Sequence, residues 1–276
     1  MRRIRMINVN VFVVKYIFHL RFKVASLTRK SKIMNKIISK IVFDGDRTFF
    51  IPSNKSMKHV ETIEVNQKID TCEMIVMPSD LIKEMIKKAD DIVIMDKCLC
   101  RSSTDCKDYP QDLGCIFLGK TTHKISRNFC RDATQEEAIE HIDKCNQAGL
   151  MHIIGKNKMD TLWMNVRPGD ELLTICNCCP CCCLWKVYPC LSDQIQADFF
   201  KLDTLSVECD NNKCIKCLQC IDVCFGKAIS LVDDKIVIDD NCIGCGQCSG
   251  RCPVNAINIS YEHDDIISKL EEVVKI

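Results

Sequence analysis

Two stretches of sequence, CIKCLQCIDVC at Cys214–Cys224 and CIGCGQCSGRCP at Cys242–Pro253, decide the fold of the C-terminal part of this chain. Each repeats the spacing C-x2-C-x2-C-x3-C. Three thiolates of such a loop cap three irons of one [4Fe–4S] cubane, and the fourth ligates the neighbouring cluster. The spacing therefore predicts two [4Fe–4S] clusters. The ligands expected for the first are Cys214, Cys217, Cys220 and Cys252, and those for the second are Cys242, Cys245, Cys248 and Cys224.

A single run of this kind could come from a zinc site or from coincidence. Two runs so close together are a far more specific signal for iron–sulfur clusters. Residues 206–262 resemble the bacterial-type ferredoxins with two [4Fe–4S] clusters. The resemblance implies a β-α-β repeat and one-electron carriage at low potential. The first run departs from that family at Phe225, where proline is usual, and has Lys216 where the second run has Gly244. A cation at Lys216 would raise the potential of its cluster, so we expect two unequal clusters.

Cysteine usage indicates a reducing environment. The chain has 23 cysteines in 276 residues. A chain of this length can form ordinary hydrophobic cores and does not need a disulfide scaffold. The cysteines also cluster at metal-binding spacings. We therefore expect a cytoplasmic protein of an anaerobe. No apolar run reaches the roughly 18–20 residues that span a bilayer, so no transmembrane helix is predicted.

Basic residues are concentrated at the N-terminus. Residues 1–40 carry eleven Lys or Arg and no Asp or Glu, so the net charge of +1 conceals an acidic remainder. The apolar stretch Val9 to Leu20 is interrupted by Lys15, and no signal-peptide cleavage site follows it. Four interpretations of this basic extension stay open: an anchor on the cytoplasmic face of a membrane, an arm for an acidic partner, a flexible extension, and a true start at Met34.

Residues 41–205 are predicted to form a cysteine-rich α/β domain with a small antiparallel sheet, so the whole chain is of the α+β class. Ser79 predicts the start of one helix, and Thr134 with Glu137 predicts a capping box for a second that ends at Gly149. The predicted strands are Ile92–Met95, Leu150–Ile154, Leu162–Val166 and Glu171–Ile175. The second helix is acidic, which argues against nucleic-acid binding.

Ten cysteines of this domain fall in two short segments. They are Cys98, Cys100, Cys106 and Cys115 in the first, and Cys176, Cys178, Cys179, Cys181, Cys182 and Cys183 in the second, CNCCPCCC. Thiolates packed this densely repel one another unless a metal neutralises them. We predict one or two further iron–sulfur clusters here, with zinc and a vicinal disulfide as the alternatives.

Other residues receive structural interpretations. The isolated cysteines are predicted to be buried small side chains, and they are Cys72, Cys130, Cys145, Cys190 and Cys209. His152 is expected to be a packed or surface histidine rather than a metal ligand. Arg101 is expected either to bond cluster sulfide or an anion, or to form a surface ion pair. Trp163 and Trp185 are predicted in the core, and residues 263–276 as a C-terminal helix.

Gly114 to Thr121, GCIFLGKT, matches the phosphate-binding pattern G-x4-G-K-T. Polar residues precede it where a buried strand is required, and the apolar Ile116, Phe117 and Leu118 fill it. We therefore do not expect nucleotide binding.

The segments CLCR, CKDYPQDLGC, AGLMH and ICNCCPCCC resemble, within residues 41–260, a family of multi-cluster iron–sulfur proteins of methanogenic archaea and other anaerobes. That resemblance implies redox work with several clusters and names no reaction. The expected function is transfer of single electrons to or from a redox partner protein, as a carrier or an oxidoreductase subunit. Two alternatives stay open: reduction of a disulfide or other small molecule at CNCCPCCC, and a scaffold that carries a metallocluster.

Overall fold

The computed structural model describes residues 18–57, 78–169, 171–202 and 205–260. Cys72, the helix predicted over residues 263–276 and most of the apolar stretch Val9 to Leu20 lie outside these residues.

The described helices and strands alternate along the chain. The α-helices are α1 (Arg21–Lys30), α2 (Lys32–Ile38), α3 (Pro78–Lys87), α4 (Leu99–Ser103), α5 (Gln135–Gln147), α6 (Lys158–Met164), α7 (Asp193–Gln196), α8 (Gln219–Val223) and α9 (Gln247–Arg251). The strands are β1 (Arg47–Ile51), β2 (Ile92–Met95), β3 (Ile116–Leu118), β4 (Cys130–Asp132), β5 (Met151–Lys156), β6 (Leu173–Cys178), β7 (Phe199–Phe200), β8 (Ser206–Cys209), β9 (Ile229–Val232), β10 (Lys235–Ile238) and β11 (Ile257–Ser260). Short 3-10 helices cover Phe18–Leu20, Asn54–Ser56, Lys120–Lys124 and Leu184–Cys190, and a π-helix covers Ser39–Phe43.

A seven-stranded sheet forms the central domain, in the order β4-β2-β3-β6-β5-β1-β7. Its neighbouring strands are antiparallel except for the parallel pair β1 and β7. Successive side chains of a strand point to opposite faces. Accordingly, Ile92 and Ile94 pack in the core beneath α3 and α5, whereas Val93 and Met95 pack in a core on the other face. The predicted α+β class is confirmed.

Two local predictions fail, the strand at Leu162–Val166 and the cap at Ser79. Ser79 lies within α3, which begins at Pro78, and its hydroxyl donates to Asn54 Oδ1. In the predicted capping box, Thr134 Oγ1 accepts from the Glu137 backbone N at 3.2 Å, and Glu137 Oε2 accepts from the Thr134 backbone N at 2.9 Å. The strand predicted at Leu162–Val166 is wrong, because α6 occupies most of it. Asn157 caps this helix by accepting from the Met159 backbone N at 3.0 Å, and such a cap favours helix over strand.

The C-terminal part shows the expected repeat, with β8, α8 and β9 followed by β10, α9 and β11. Strand β8 pairs with β11, and β9 pairs with β10, both antiparallel. Lys216 has φ +55° and Gly244 has φ +67° at the equivalent positions of the two runs. The left-handed backbone suits glycine, and the first run places a lysine there. The Lys216 amine forms an ion pair with Asp234.

The central domain and the ferredoxin-like part share a hydrophobic core. Ile51 and Ile82 of the central domain lie in the same buried group as Val207 and Ile257 of the C-terminal part. The hydroxyl of Ser249 also donates to the backbone carbonyl of Ser56 at 2.7 Å. The two parts therefore have a fixed contact.

The described half of the basic N-terminal segment packs on the central domain. Thr28 is buried and accepts a hydrogen bond from the Ser192 backbone N at 2.9 Å, and Arg29 Nε donates to the Leu191 carbonyl at 2.6 Å. The segment also carries exposed apolar side chains, which are Leu20, Phe22, Val24, Leu27, Ile33, Ile37 and Ile41. Residues 18–41 thus combine contacts to the central domain with exposed apolar surface.

Asp46 makes the stability of the fold depend on pH. Its side chain is buried, Oδ1 accepts from the Lys158 backbone N at 2.7 Å, and Oδ2 lacks a hydrogen-bond partner. Burial raises its pKa to about 7. A carboxyl whose folded pKa lies above its unfolded value stabilises the fold at low pH, and that stability is lost as pH rises from about 4 to about 7.

We expect Asp46→Asn to raise the free energy of unfolding by about 2–4 kcal/mol at pH 8, with the gain disappearing toward pH 4. Anaerobic denaturant titrations across this range measure the difference. The neighbouring exposed Asp44 provides the matched control Asp44→Asn, which should show no such gain. Equal stability of wild type and Asp46→Asn at pH 8 would refute the assignment.

Candidate metal centres

The structure brings together both predicted ferredoxin quartets. One cavity is lined by Cys214, Cys217, Cys220 and Cys252. At the other quartet, burial raises the pKa of Cys248, and the nearby thiols of Cys245, Cys242 and Cys224 add to the effect. Backbone amides support equivalent sulfurs of the two runs. The Ala228 N donates to Cys224 Sγ at 3.3 Å, and the Ala256 N donates to Cys252 Sγ at 3.2 Å. This symmetry is what the repeated spacing requires.

The second quartet lies deeper than the first. Cys245 and Cys248 are buried, whereas Cys217 is exposed. Burial raises the pKa of Cys245 to about 12. A thiol in such a place stays ionised when a positively charged group binds it, which is the role of cluster iron.

Cys209 is not isolated in space, although it is isolated in sequence. It lies at the end of β8 and lines the same cavity as the first quartet. Cys130 and Cys145 are buried, as predicted, and Cys190 is half-buried.

The ten cysteines of the two predicted segments divide into two groups. Four of them form a group that we call the tetrad, and they are Cys106, Cys179, Cys181 and Cys182. The other six line one pocket, which we call the six-cysteine pocket, and they are Cys98, Cys100, Cys115, Cys176, Cys178 and Cys183; Cys179 of the tetrad lines it as well. Both segments predicted from the sequence contribute to both groups, so the fold joins them.

The tetrad sulfurs are in mutual contact. All four Sγ atoms lie within 4.8 Å of one another, with Cys106 and Cys181 at 3.6 Å and Cys179 and Cys181 at 3.5 Å. The Cys182 backbone N donates to Cys179 Sγ at 3.3 Å. At Cys106, burial opposes ionisation, but hydrogen bonds from Cys182 and from the backbone of Tyr109 and Asp108 outweigh it and lower the pKa.

The six-cysteine pocket is assembled by the pairing of β3 with β6. The register that sets Ile116 opposite Ile175 continues to Cys115 and Cys176, whose Sγ atoms are 3.7 Å apart. Cys178 and Cys183 approach to 3.0 Å across the turn after β6. Hydrogen bonding between Cys98 and Cys100 completes three sulfur pairs around the pocket.

Helix α6 adds a carboxyl group that sequence reasoning missed. Asp160 lines the six-cysteine pocket, and one of its oxygens is buried without a hydrogen-bond partner. Burial raises the pKa of Asp160 well above its usual range, and the nearby Cys176 adds to the effect. The capping signal of Asn157 could have identified the helix that carries Asp160. Trp163 of α6 lines the pocket as well and is only partly buried, whereas Trp185 is in the core.

Arg101 holds the walls of the pocket. Its side chain is fully buried and donates to three backbone carbonyls: Nε to Pro110 at 2.7 Å, Nη1 to Asn177 at 2.8 Å, and Nη2 to Leu113. Burial lowers its pKa, but the surrounding thiols, Cys98 first, raise it further than burial lowers it. The surface ion pair considered from the sequence is therefore wrong. The guanidinium ties the first cysteine segment to β6.

A buried polar network continues from Arg101 to the histidines. Asn177 Nδ2 donates to the Gly114 carbonyl at 2.7 Å, and its Oδ1 lies 2.8 Å from His152 Nδ1. His141 Nε2 lies 2.9 Å from the same Gly114 carbonyl. Burial lowers the pKa of His152 to about 4. His152 is therefore packed, and of the packed and surface positions expected for it the structure shows the packed one.

The segment GCIFLGKT contains a strand rather than a phosphate-binding loop. Residues Ile116–Leu118 form β3, which pairs with β2 and β6. Gly114 is required because a Cβ there would lie 2.4 Å from the Met95 carbonyl oxygen. The backbone of this segment pairs within the sheet, and the Gly114 carbonyl accepts hydrogen bonds in the polar network.

Within the described residues, no helix combines the length and apolar character needed to cross a bilayer.

Comparisons with known proteins concern mainly the C-terminal part. Residues 213–256 match the 4Fe-4S dicluster domain. The chain is 43% identical over 54 residues to the pyruvate synthase subunit PorD of Methanothermobacter marburgensis, covering 19% of this chain and 63% of that protein. It is 27% identical over 114 residues to the isethionate sulfite-lyase activating enzyme of Nitratidesulfovibrio vulgaris, covering 38% of this chain and 34% of that protein.

The chain thus spans less than two thirds of the length of either relative. The match of the family model includes all eight cysteines of the two runs. Together with the paired quartets and the β-α-β repeat, it confirms the resemblance drawn from the spacing. Residues 213–256 are therefore a 4Fe-4S dicluster domain of the ferredoxin type.

Proposed function

We propose that this protein transfers single electrons to or from a redox partner through two ferredoxin clusters and a third cluster in the six-cysteine pocket. The observation that carries the proposal is a shared core. Cys245 of the second ferredoxin quartet lies in the same buried hydrophobic group as Cys178 and Cys183 of the six-cysteine pocket. The same group includes Phe225, which is buried where related ferredoxins usually have proline.

The donor set of the six-cysteine pocket suits a cubane. A [4Fe–4S] cluster needs thiolates on separate corner irons. Here three sulfur pairs stand around a common pocket, so one sulfur from each pair and a fourth ligand can reach different irons. The guanidinium of Arg101 lies beside these thiols and offsets part of the negative charge of a thiolate-bound cluster.

The first ferredoxin cluster is the solvent-facing end of the proposed electron path. Among its eight cluster cysteines, only Cys217 is exposed. Exposed apolar side chains lie in and near the first run and on the hairpin of β9 and β10, and they are Ile215, Leu218, Leu231, Val232 and Val237. Apolar surface around an exposed cluster is suited to transient docking of a protein partner. PorD, a subunit of pyruvate synthase, is a relative whose name indicates such an assembly.

The third cluster is tested by removing pocket sulfurs. We expect anaerobically prepared Cys176→Ser/Cys178→Ser protein to hold about eight irons per chain, compared with about twelve in wild type. Chemical iron and sulfide analysis measures the difference. Cys130→Ala is the control, because Cys130 is buried outside both groups, and it should keep about twelve irons. Equal iron in the double variant and wild type would refute the third cluster.

Asp160 favours a second candidate, in which the third cluster reduces a small molecule. A carboxyl oxygen without a partner inside the pocket could bind an iron that lacks a thiolate, and substrate could displace it there. The acceptor class would be a disulfide or a sulfur species. Reductant-dependent turnover of such acceptors by the fully metallated protein would replace the pure carrier with an enzyme.

A further inference from the structure

We infer that Cys106, Cys179, Cys181 and Cys182 bind one tetrahedral metal ion, with zinc as the expected metal, and not an iron–sulfur cluster. This site adjoins the electron path proposed above, because Cys179 also lines the six-cysteine pocket. It accounts for four cysteines that the sequence assigned to further clusters.

The spacing of the sulfurs fits a single ion. With Zn–S bonds of about 2.3 Å, tetrahedral geometry places the sulfurs about 3.8 Å apart. The observed separations of 3.5 and 3.6 Å, and the limit of 4.8 Å for all pairs, match this size. Thiolates that cap a cubane lie farther apart, because each binds a different corner iron.

The ferredoxin quartets provide an internal comparison. Among the described residues, the tetrad is the set of cysteines whose ligand atoms gather this tightly, and neither ferredoxin quartet does so. The chain therefore contains cluster-sized and ion-sized cysteine groups side by side.

A backbone amide supports the tetrad sulfurs as metal ligands. The Cys182 N–H points at Cys179 Sγ three residues earlier, as in a tight metal-binding turn. Hydrogen bonds of this kind stabilise the charge of a bound thiolate and fix its direction.

The ion would fasten two segments that also build the six-cysteine pocket. Cys106 follows α4, which contains Cys100 and has Cys98 directly before it. In the second segment, Cys179 and Cys182 lie between Cys178 and Cys183 in the sequence. Four protein ligands close the coordination sphere, which is typical of structural zinc. The site thus has a positioning role for the pocket beside it.

The test uses full-length protein purified without air. We expect about one zinc per chain, with four sulfurs at about 2.3 Å in zinc-edge X-ray absorption. Cys106→Ser should reduce the zinc content to near zero while the two ferredoxin clusters keep their electron paramagnetic resonance signals. Cys145→Ala is the matched control, because Cys145 packs in the same apolar group as the tetrad, and it should retain the zinc.

The wild-type measurement does not depend on the folding of any variant. A single iron bound by four sulfurs, with no zinc, would also support an ion-sized site. A protein without bound zinc whose iron content falls by about four in Cys106→Ser would overturn it in favour of a cubane. Zinc and iron are counted separately, so failure of the third cluster in the six-cysteine pocket would be seen independently.

Discussion

Cys217→Ser is expected to abolish electron exchange with a protein partner and to remove about four irons per chain. Cys217 is the exposed ligand of the first ferredoxin quartet, and the oxygen of serine is a harder and poorer ligand for cluster iron than a thiolate. The second ferredoxin cluster and the central metals should remain, because their ligands are other cysteines. Stopped-flow electron transfer with a reduced low-potential ferredoxin, together with iron analysis, measures both effects.

Cys209 lines the same cavity and provides both a control and a safeguard. Cys209→Ala alone should keep the cluster and the electron transfer rate. Combining it with Cys217→Ser prevents Cys209 from replacing the missing ligand. Normal protein-to-protein electron transfer in the double variant would contradict the entry of electrons through the first cluster.

The second large effect is expected at Arg101. Arg101→Leu leaves the carbonyls of Pro110, Leu113 and Asn177 without their donor in a buried site. Each unsatisfied buried group costs about 1–3 kcal/mol, so the free energy of unfolding should fall by roughly 4 kcal/mol or more, a large share of the stability of a domain.

Denaturant titration and metal analysis measure the loss in Arg101→Leu, which should also deplete the central metals. The control is Arg131→Leu. Arg131 is exposed and pairs with Glu137 at 3.4 Å, and such surface pairs contribute about 0–1 kcal/mol. If the two variants were equally stable, Arg101 would not hold the pocket together.

The ferredoxin domain was predictable because its ligands follow from local spacing. The capping box at Thr134 was predictable for the same reason, since both of its hydrogen bonds join residues three apart. The strand predicted at Leu162–Val166 failed because a short run of consecutive apolar residues, LWM at 162–164, fits a helix as well as a strand. The cap at Asn157 favours the helix over the strand.

The grouping of the central cysteines could not be read from the sequence. It depends on the sheet order, which places β3 beside β6 and so brings Cys115 to Cys176. Contacts between such distant segments are set by tertiary packing rather than by local pattern. The same holds for Arg101, since one of its three carbonyl partners, that of Asn177, lies 76 residues away on β6.

The central claim is that a third redox cluster extends the ferredoxin pair. Each [4Fe–4S] cluster accepts one electron, so anaerobic titration of the oxidised full-length protein with a strong low-potential reductant counts the clusters directly. We predict uptake of about three electrons per chain, with a spectral change for the third that is absent from Cys176→Ser/Cys178→Ser. Uptake of about two electrons by a protein with fully occupied metal sites would contradict the account.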